Sequence, residues 1–280
     1  MKFIEIKAPA KINIGLRVLE KRTDGYHNIY TLFYPIKDLY DTITFEISDN
    51  FEFNSNLKVT ENDEDNLIIK SKRMLERIFN KNFNVKINLI KRIPAGSGLG
   101  GGSSDAAATL ISLNELFKLE LHYEQLLSIA LELGSDVPFF IKALPAIGKS
   151  RGEILEHIEI ENALPILIVI PNISIPTREI YQLIKPKHEY YDYKEIIQNN
   201  KFNYSLMREK IINDFEEVVF QKYPEIKNIK EILYAEGAIY ASMSGTGSTV
   251  FGFFDSIDKI EKVKECFPPE YFCWINNPQD

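Results

Sequence analysis

The run Pro94-Ala95-Gly96-Ser97-Gly98-Leu99-Gly100-Gly101-Gly102-Ser103-Ser104 is the part of the chain best suited to chemistry. Its glycines lack Cβ atoms, so the backbone can turn sharply and aim successive N–H groups at one anion. Asp105-Ala106-Ala107-Ala108-Thr109-Leu110 follows, a good helix former. A helix beginning near Ser103 adds unpaired N–H groups and the positive end of its dipole. No cation is required in the loop itself, and the arrangement suits a polyphosphate.

Several readings compete for this loop. Gly96-x-Gly98-x-x-Gly101 satisfies the dinucleotide fingerprint, which also needs an acid after the next strand, about twenty residues on. Glu120 has that spacing but lies between two helical segments. The same glycines mimic a protein-kinase loop, yet no His-Arg-Asp or Asp-Phe-Gly follows. A P-loop is excluded because no Gly-Lys-Ser/Thr closes the motif. A turn used only for packing is disfavoured by so many glycines with paired serines at a helix start.

The elements that must hold these residues follow from periodicity. From Lys11 to Val18 the chain alternates, with Ile12, Ile14, Leu16 and Val18 on one face and Lys11, Asn13, Gly15 and Arg17 on the other. That is the period of a strand. Asp24-Gly25 marks a turn, and Asn28–Ile36 reads as the returning strand. Thr42–Glu46, Val85–Ile93, Leu164–Ile170, Ala238–Met243 and Thr249–Phe254 are further strands. Helical spacing appears at Asn66–Phe79, Ser104–Phe117, Tyr123–Leu133, Met207–Phe220, Glu225–Glu236 and Ile257–Phe267. Segregated strands and helices suggest an α+β protein rather than a regular βαβ alternation. The acidic run Glu61 to Asp65 reads as a solvated loop capping the next helix. A boundary is expected between Gly152 and Ala163, and Lys185–Tyr204 fits no pattern.

The whole chain narrows the partners. It has 280 residues, 33 Lys+Arg and 40 Asp+Glu, a formal charge of −7. That balance argues against nucleic acid as the main partner, because phosphate neutralisation needs a basic face. Cys266 and Cys273 have no metal-ligand spacing and make no disulfide framework. The N-terminus lacks the apolar core of a signal peptide. The longest apolar stretch, Ala163 to Ile170, is interrupted by Pro165 and is too short to cross a bilayer. A soluble, cytoplasmic, unprocessed protein without a membrane partner is expected, as monomer or homodimer.

Three separated segments together resemble the motifs of the GHMP kinases, the family of galactose, homoserine, mevalonate and phosphomevalonate kinases. They are Ala8–Asn13, Pro94–Ser104 and Ser244-Gly245-Thr246-Gly247-Ser248-Thr249-Val250-Phe251-Gly252. Asp24-Gly25-Tyr26-His27, Gly134-Ser135-Asp136-Val137-Pro138-Phe139-Phe140, Arg151-Gly152-Glu153 and Ile175-Pro176-Thr177 resemble the branch that phosphorylates a cytidine-diphosphate-linked methylerythritol. The resemblance implies a two-domain fold: an N-terminal, ribosomal-S5-like domain over residues 1–157 and a ferredoxin-like one over 158–280. The active site would lie in the cleft between them. The implied reaction moves the γ-phosphoryl of ATP onto the C2 hydroxyl of the erythritol unit, giving the 2-phosphate and ADP. A sister kinase acting on homoserine or mevalonate is the alternative.

The resemblance also distributes roles. Asp136 would accept the hydroxyl proton with Lys11 beside it, and an ammonium there favours the charged carboxylate at some cost in basicity. Pro94 to Ser104 would hold the ATP phosphates, with Asn66 and Lys91 on the adenine side. Asn13, two residues from Lys11 and on the same strand face, would bind the erythritol part. Tyr26 and Tyr181 would sandwich the cytosine, His27 would read its edge, and Phe33 and Thr177 would complete the wall. Magnesium would arrive with ATP, held mostly by phosphates and water, so no metal-ligating residues are assigned. His122, His157 and His188 match nothing. Ala143-Leu144-Pro145 stands where the family commonly has Gly-Gly-Thr, and Ser150 where it commonly has glycine, so a stiffer loop is expected after Asp136.

Overall fold

The computed structural model describes residues 2–58, 60, 62–162, 164–187 and 189–278; Glu61, Ala163 and His188, which figure in the sequence reading, lie outside the described residues. The chain forms two units. Residues 1–11, 35–95 and 100–144 make the first, and residues 12–34, 96–99 and 145–280 the second. Two long strands, β1 (Phe3–Lys21) and β2 (His27–Ile47), contribute residues to both. The alternating stretch from Lys11 to Val18 is thus half of a longer strand. Lys11 and Asn13 on its polar face are as buried as the apolar residues opposite. A buried polar face needs a reason other than packing.

In the first unit, β3 (Glu52–Ser55), α1 (Leu67–Phe79) and β4 (Val85–Ile90) follow in sequence. β3 pairs parallel with β4, Glu52 opposite Lys86, and β4 pairs antiparallel with β2, Thr42 opposite Ile90. The parallel pair makes β3-α1-β4 a βαβ crossover, a local exception to the segregation seen in the sequence. Asn66 starts α1 by accepting the Ile68 N–H at 2.9 Å, an ordinary N-cap. Next come α2 (Gly101–Leu116), α3 (Tyr123–Leu133) and the single turn α4 (Val137–Phe140). α2 is buried on nearly every side, and Ala106, Ala107 and Ala108 keep it slim enough to pack against α1, α3 and α4. Such all-round burial marks a central helix.

In the second unit, β5 (Ala146–Lys149) pairs with β2 and with β6 (Ile154–His157). Then follow β7 (Ile166–Ile170), α5 (Thr177–Leu183), α6 (Tyr193–Ile196), a small hairpin of β8 (Ile197–Gln198) and β9 (Lys201–Phe202), and α7 (Tyr204–Lys210). These last pieces fill the segment Lys185–Tyr204 that periodicity left unassigned. α8 (Phe215–Lys222), α9 (Pro224–Ala235), β10 (Tyr240–Met243), β11 (Val250–Phe253), α10 (Ile257–Lys264) and β12 (Phe272–Asn276) complete it. The sheet order β10-β11-β7-β12 is antiparallel throughout. With β7, β10, β11 and β12 as successive strands it is the ferredoxin-like order. Its core joins Leu167, Val169, Phe215, Ile229, Leu233, Val250 and Ile260. One expected helix, Met207–Phe220, is two: the chain leaves helical geometry over residues 211–214 to hydrogen-bond with β1 at Leu16.

Candidate active site

In the first unit, Lys11 Nζ lies 3.3 Å from Asp136 Oδ2, the lysine side chain 4% exposed and the aspartate 35%. The ammonium is therefore sunk in the framework, and the carboxylate it holds reaches solvent. Asp136 stands at the start of α4, whose Val137, Pro138, Phe139 and Phe140 are all buried, so the apolar run after the acid is its anchor. Gly100 joins this pair. It caps α2 at φ +73°, and a Cβ there would fall 2.8 Å from the Phe140 ring and 3.1 Å from Lys11 Cε. The start of the helix that ends the glycine run thus sits against the Lys11–Asp136 pair, and α2 there presents the unpaired N–H groups that favour an anion.

Asn66 and Lys91 are held by the framework of the same unit. Asn66 is the α1 cap. Lys91, 3% exposed, pairs with Asp41 and, at 2.7 Å, with Asp105. Asp41 also accepts the N–H groups of Arg92 and Ile93. Burial alone would lower the Lys91 ammonium, but Asp105 and Asp41 outweigh it and hold its pKa above the usual value. Two carboxylates share that one cation. Burial first, and then Asp41, push Asp105 up to about 7 against the pull of Lys91. Its Oδ1 has no hydrogen-bond partner, so nothing offsets desolvation on that side. The acids of this trio carried no signal in the sequence beyond their position: Asp105 reads as one more early-helix acid.

In the second unit, Gly98 has φ +87°, and a Cβ on it would lie 2.7 Å from the Ser244 carbonyl and 2.8 Å from that of Gly247. Thr249 donates its hydroxyl to Ser97 O at 2.6 Å. The tip of the glycine loop and the later Ser244–Thr249 loop are therefore one packed feature. Gly96, also at positive φ, has open space on its Cβ side. Gly96 and Gly98 of this unit both take positive φ, the left-handed conformation that glycine adopts without a steric cost. A side chain at Gly98 would collide with the main chain of the Ser244–Thr249 loop.

Asn13 donates its side-chain amide to Thr31 Oγ1 at 3.0 Å, and Thr31 passes a hydrogen to Gly15 O at 2.6 Å. Thr31, fully buried on β2, was not visible as a site residue. The aromatic residues divide. His27 stacks on Tyr181 with ring centres 5.6 Å apart, and Tyr181 meets Phe215 edge-on. Partial burial and then the Lys21 ammonium lower the His27 pKa, which keeps its imidazole neutral. Tyr26 is 52% exposed, with the Arg151 guanidinium 4.7 Å over its ring. Thr177 meets Thr246 hydroxyl to hydroxyl at 3.0 Å. Phe33 is buried, its ring pressed on Gly148 and Gly152.

The family description "GHMP kinases N terminal domain" matches residues 66–143, and "GHMP kinases C terminal" matches residues 192–272. A 4-diphosphocytidyl-2-C-methyl-D-erythritol kinase of Bacteroides thetaiotaomicron is 42% identical over 252 residues, 88% of this chain and 90% of that protein. The chain belongs to the GHMP kinase family. A relative of the same description from Thermoanaerobacter pseudethanolicus is 41% identical over 95% of this chain and 92% of its own length. Among solved structures, a 4-(cytidine 5'-diphospho)-2C-methyl-D-erythritol kinase superposes with a TM-score of 0.82 at 30% identity, covering 97% of this chain and 98% of the other. A homoserine kinase from Cytophaga hutchinsonii reaches 0.73 at 16% identity over 99% of this chain and 95% of its own, which speaks to the fold alone. This GHMP kinase has the mixed α+β, two-domain fold that its motifs imply. No helix among the described residues is long and apolar enough to cross a membrane.

Proposed function

We propose that the protein transfers the γ-phosphoryl of ATP to the C2 hydroxyl of 4-diphosphocytidyl-2-C-methyl-D-erythritol, releasing ADP and the 2-phosphate in cytoplasmic isoprenoid synthesis. The observation that carries the chemistry is the Lys11–Asp136 pair against the Gly100 cap. The relatives that match most of the chain supply the substrate class.

In this reading the C2 oxygen bonds to the γ-phosphorus as the bond from that phosphorus to the β-phosphate oxygen breaks. Such transfer asks the protein mainly for alignment and charge stabilisation. Asp136 receives the hydroxyl as a hydrogen-bond donor and takes its proton late, while Lys11 holds the carboxylate in place. The loop from Pro94 to Ser104 grips the phosphates, and Asn66 and Lys91 support the nucleotide end through α1 and the buried trio. Asn13, fixed by Thr31, binds the erythritol part. Tyr26 and Tyr181 flank the cytosine, the neutral His27 imidazole reads its edge, and Thr177 and Phe33 finish and back the wall. Base stacking of this kind contributes about 1–3 kcal/mol per base.

No group of three His, Cys, Asp or Glu side chains among the described residues is placed to hold a metal. Magnesium would enter with ATP, held on phosphate oxygens and water. Residues 1–157 and 158–280 are taken as the two functional domains. The test is ADP release with purified protein, Mg-ATP and each candidate alcohol. Turnover on the cytidyl compound and none on homoserine or mevalonate is expected. The opposite pattern would make the protein a sister kinase.

A further inference from the structure

The four residues between α7 and α8 run beside β1. Leu16 N–H donates to Ile212 O at 2.9 Å, and Asp214 N–H donates to Leu16 O at 2.8 Å. The approach is close: a Cβ on Gly15 would lie 2.4 Å from Ile211 Cγ2. Val18 N–H, further along β1, donates to the Asp214 carboxylate at 2.8 Å. The break in the expected helix therefore has a purpose, which is to bring Asn213 to this place.

Asn213 is buried and commits its whole amide here. Nδ2 donates to Met243 O at 2.7 Å and to Gly245 O at 2.8 Å, and Oδ1 accepts the Phe215 N–H at 3.0 Å. Those two carbonyls flank Ser244. The Ser244 hydroxyl in turn accepts the Asn13 N–H at 3.0 Å and donates to Gly98 O at 3.3 Å. One hydroxyl thus touches both the strand residue assigned to the alcohol and the glycine assigned to the phosphates. Capping Phe215 would need only an acceptor, which Asp or Ser supplies as well. Two donors and an acceptor on one short planar head are particular to the amide.

We infer that Asn213 is a positioning residue of this kinase: through the Ser244 turn it sets the main chain at Gly98 and at Asn13 together, so one buried amide registers the nucleotide site against the alcohol site. The inference rests on the phosphoryl-transfer reading for the identity of the two ligands. Asn213 and Ser244 act through the main chain at Gly98 and Asn13, so the effect falls on binding more than on the chemical step.

The experiment compares wild type with Asn213→Ala, Asn213→Asp, Ser244→Ala and the Asn213→Ala/Ser244→Ala double variant. It measures melting temperature, the affinity of a non-hydrolysable ATP analogue with magnesium, and KM for the cytidyl alcohol. Each single variant should weaken the analogue and raise that KM by about tenfold, the scale of one lost buried hydrogen bond. The double variant should bind no worse than Ser244→Ala, since Asn213 acts through that turn. A lowered melting temperature with both affinities within about twofold of wild type would make Asn213 framework only and overturn the inference. Additive losses in the double variant would also overturn it. Should Asn213→Ala fail to fold, Ser244→Ala decides alone, and loss at one ligand without the other sinks the coupling. If wild type does not turn over the cytidyl alcohol, the substrate reading has failed, and the analogue titration still judges Asn213.

Discussion

Asp136 caps α4 and Asp105 lies inside α2 of the same unit, and their surroundings give them opposite work. Asp136 pairs with the Lys11 ammonium and has a path to solvent. Asp105 shares its ammonium with Asp41 inside the protein. Asp136→Asn keeps the shape and removes the charge and the proton acceptor. It should retain ATP binding and lose at least about a hundredfold in kcat, read from steady-state kinetics beside an analogue titration. Turnover near wild type would take Asp136 out of the mechanism. For Asp105 the sign is set by its raised pKa, about 7 in the folded chain. Below that value the folded protein keeps a proton that the unfolded chain, with an ordinary carboxylate near 3.9, gives up. Stability from this group is full in acid and is lost as pH rises toward 7. Asp105→Asn cannot titrate, so its melting temperature relative to wild type should improve from about pH 5 to about pH 8. Parallel curves would show that Asp105 takes up no proton on folding. The Asp105 environment was not legible in the sequence, because desolvation depends on what the fold places around it.

At the level of elements, periodicity found most helices and strands and failed where tertiary contacts override local pattern. α3 lies where its spacing put it, Tyr123–Leu133. β1 runs well past its alternating stretch, since sheet pairing extends a strand beyond the residues that show the pattern. Met207–Phe220 kept helical spacing across a break because residues 211–214 are claimed by β1. The glycine loop was legible because its chemistry lies in the backbone, and glycine is the one residue that announces backbone freedom. The same logic explains the two departures from the family pattern. Ala143 has φ +48° and Ser150 φ +60°, the left-handed region where glycine is at ease. Ala143 closes the turn after α4 with its N–H on Phe139 O at 2.9 Å. Relief of that strain exceeds the extra entropy a glycine loses, so Ala143→Gly should stabilise by about 0.5–1 kcal/mol. Ser150→Gly should gain less or lose, because its hydroxyl accepts from Arg22 at 2.7 Å and donates to Glu153 at 2.9 Å. Chemical denaturation of both variants checks the pair, and a destabilised Ala143→Gly would refute the strain argument.

Across the molecule, the formal charge of −7 sets how a nucleotide carrying several negative charges must be bound. An acidic protein repels such a ligand at long range, so the attraction has to be local. On the proposed reading it would come from the backbone N–H groups of the glycine loop rather than from a basic face. Added salt screens the distant repulsion as well as the nearby attraction, whereas a ligand held on a basic surface only loses. Analogue affinity should therefore change by less than about threefold between roughly 50 and 300 mM salt. Binding should also raise the melting temperature. At a hundred times its dissociation constant a ligand adds about 2.7 kcal/mol, and at about 2 °C per kcal/mol for a chain of this size the shift is about 5 °C. Calorimetry at both salt concentrations reads both quantities. A tenfold weakening with salt would assign the nucleotide to a charged surface, the behaviour of a nucleic-acid-binding module, and would remove the backbone cradle from the account of this kinase.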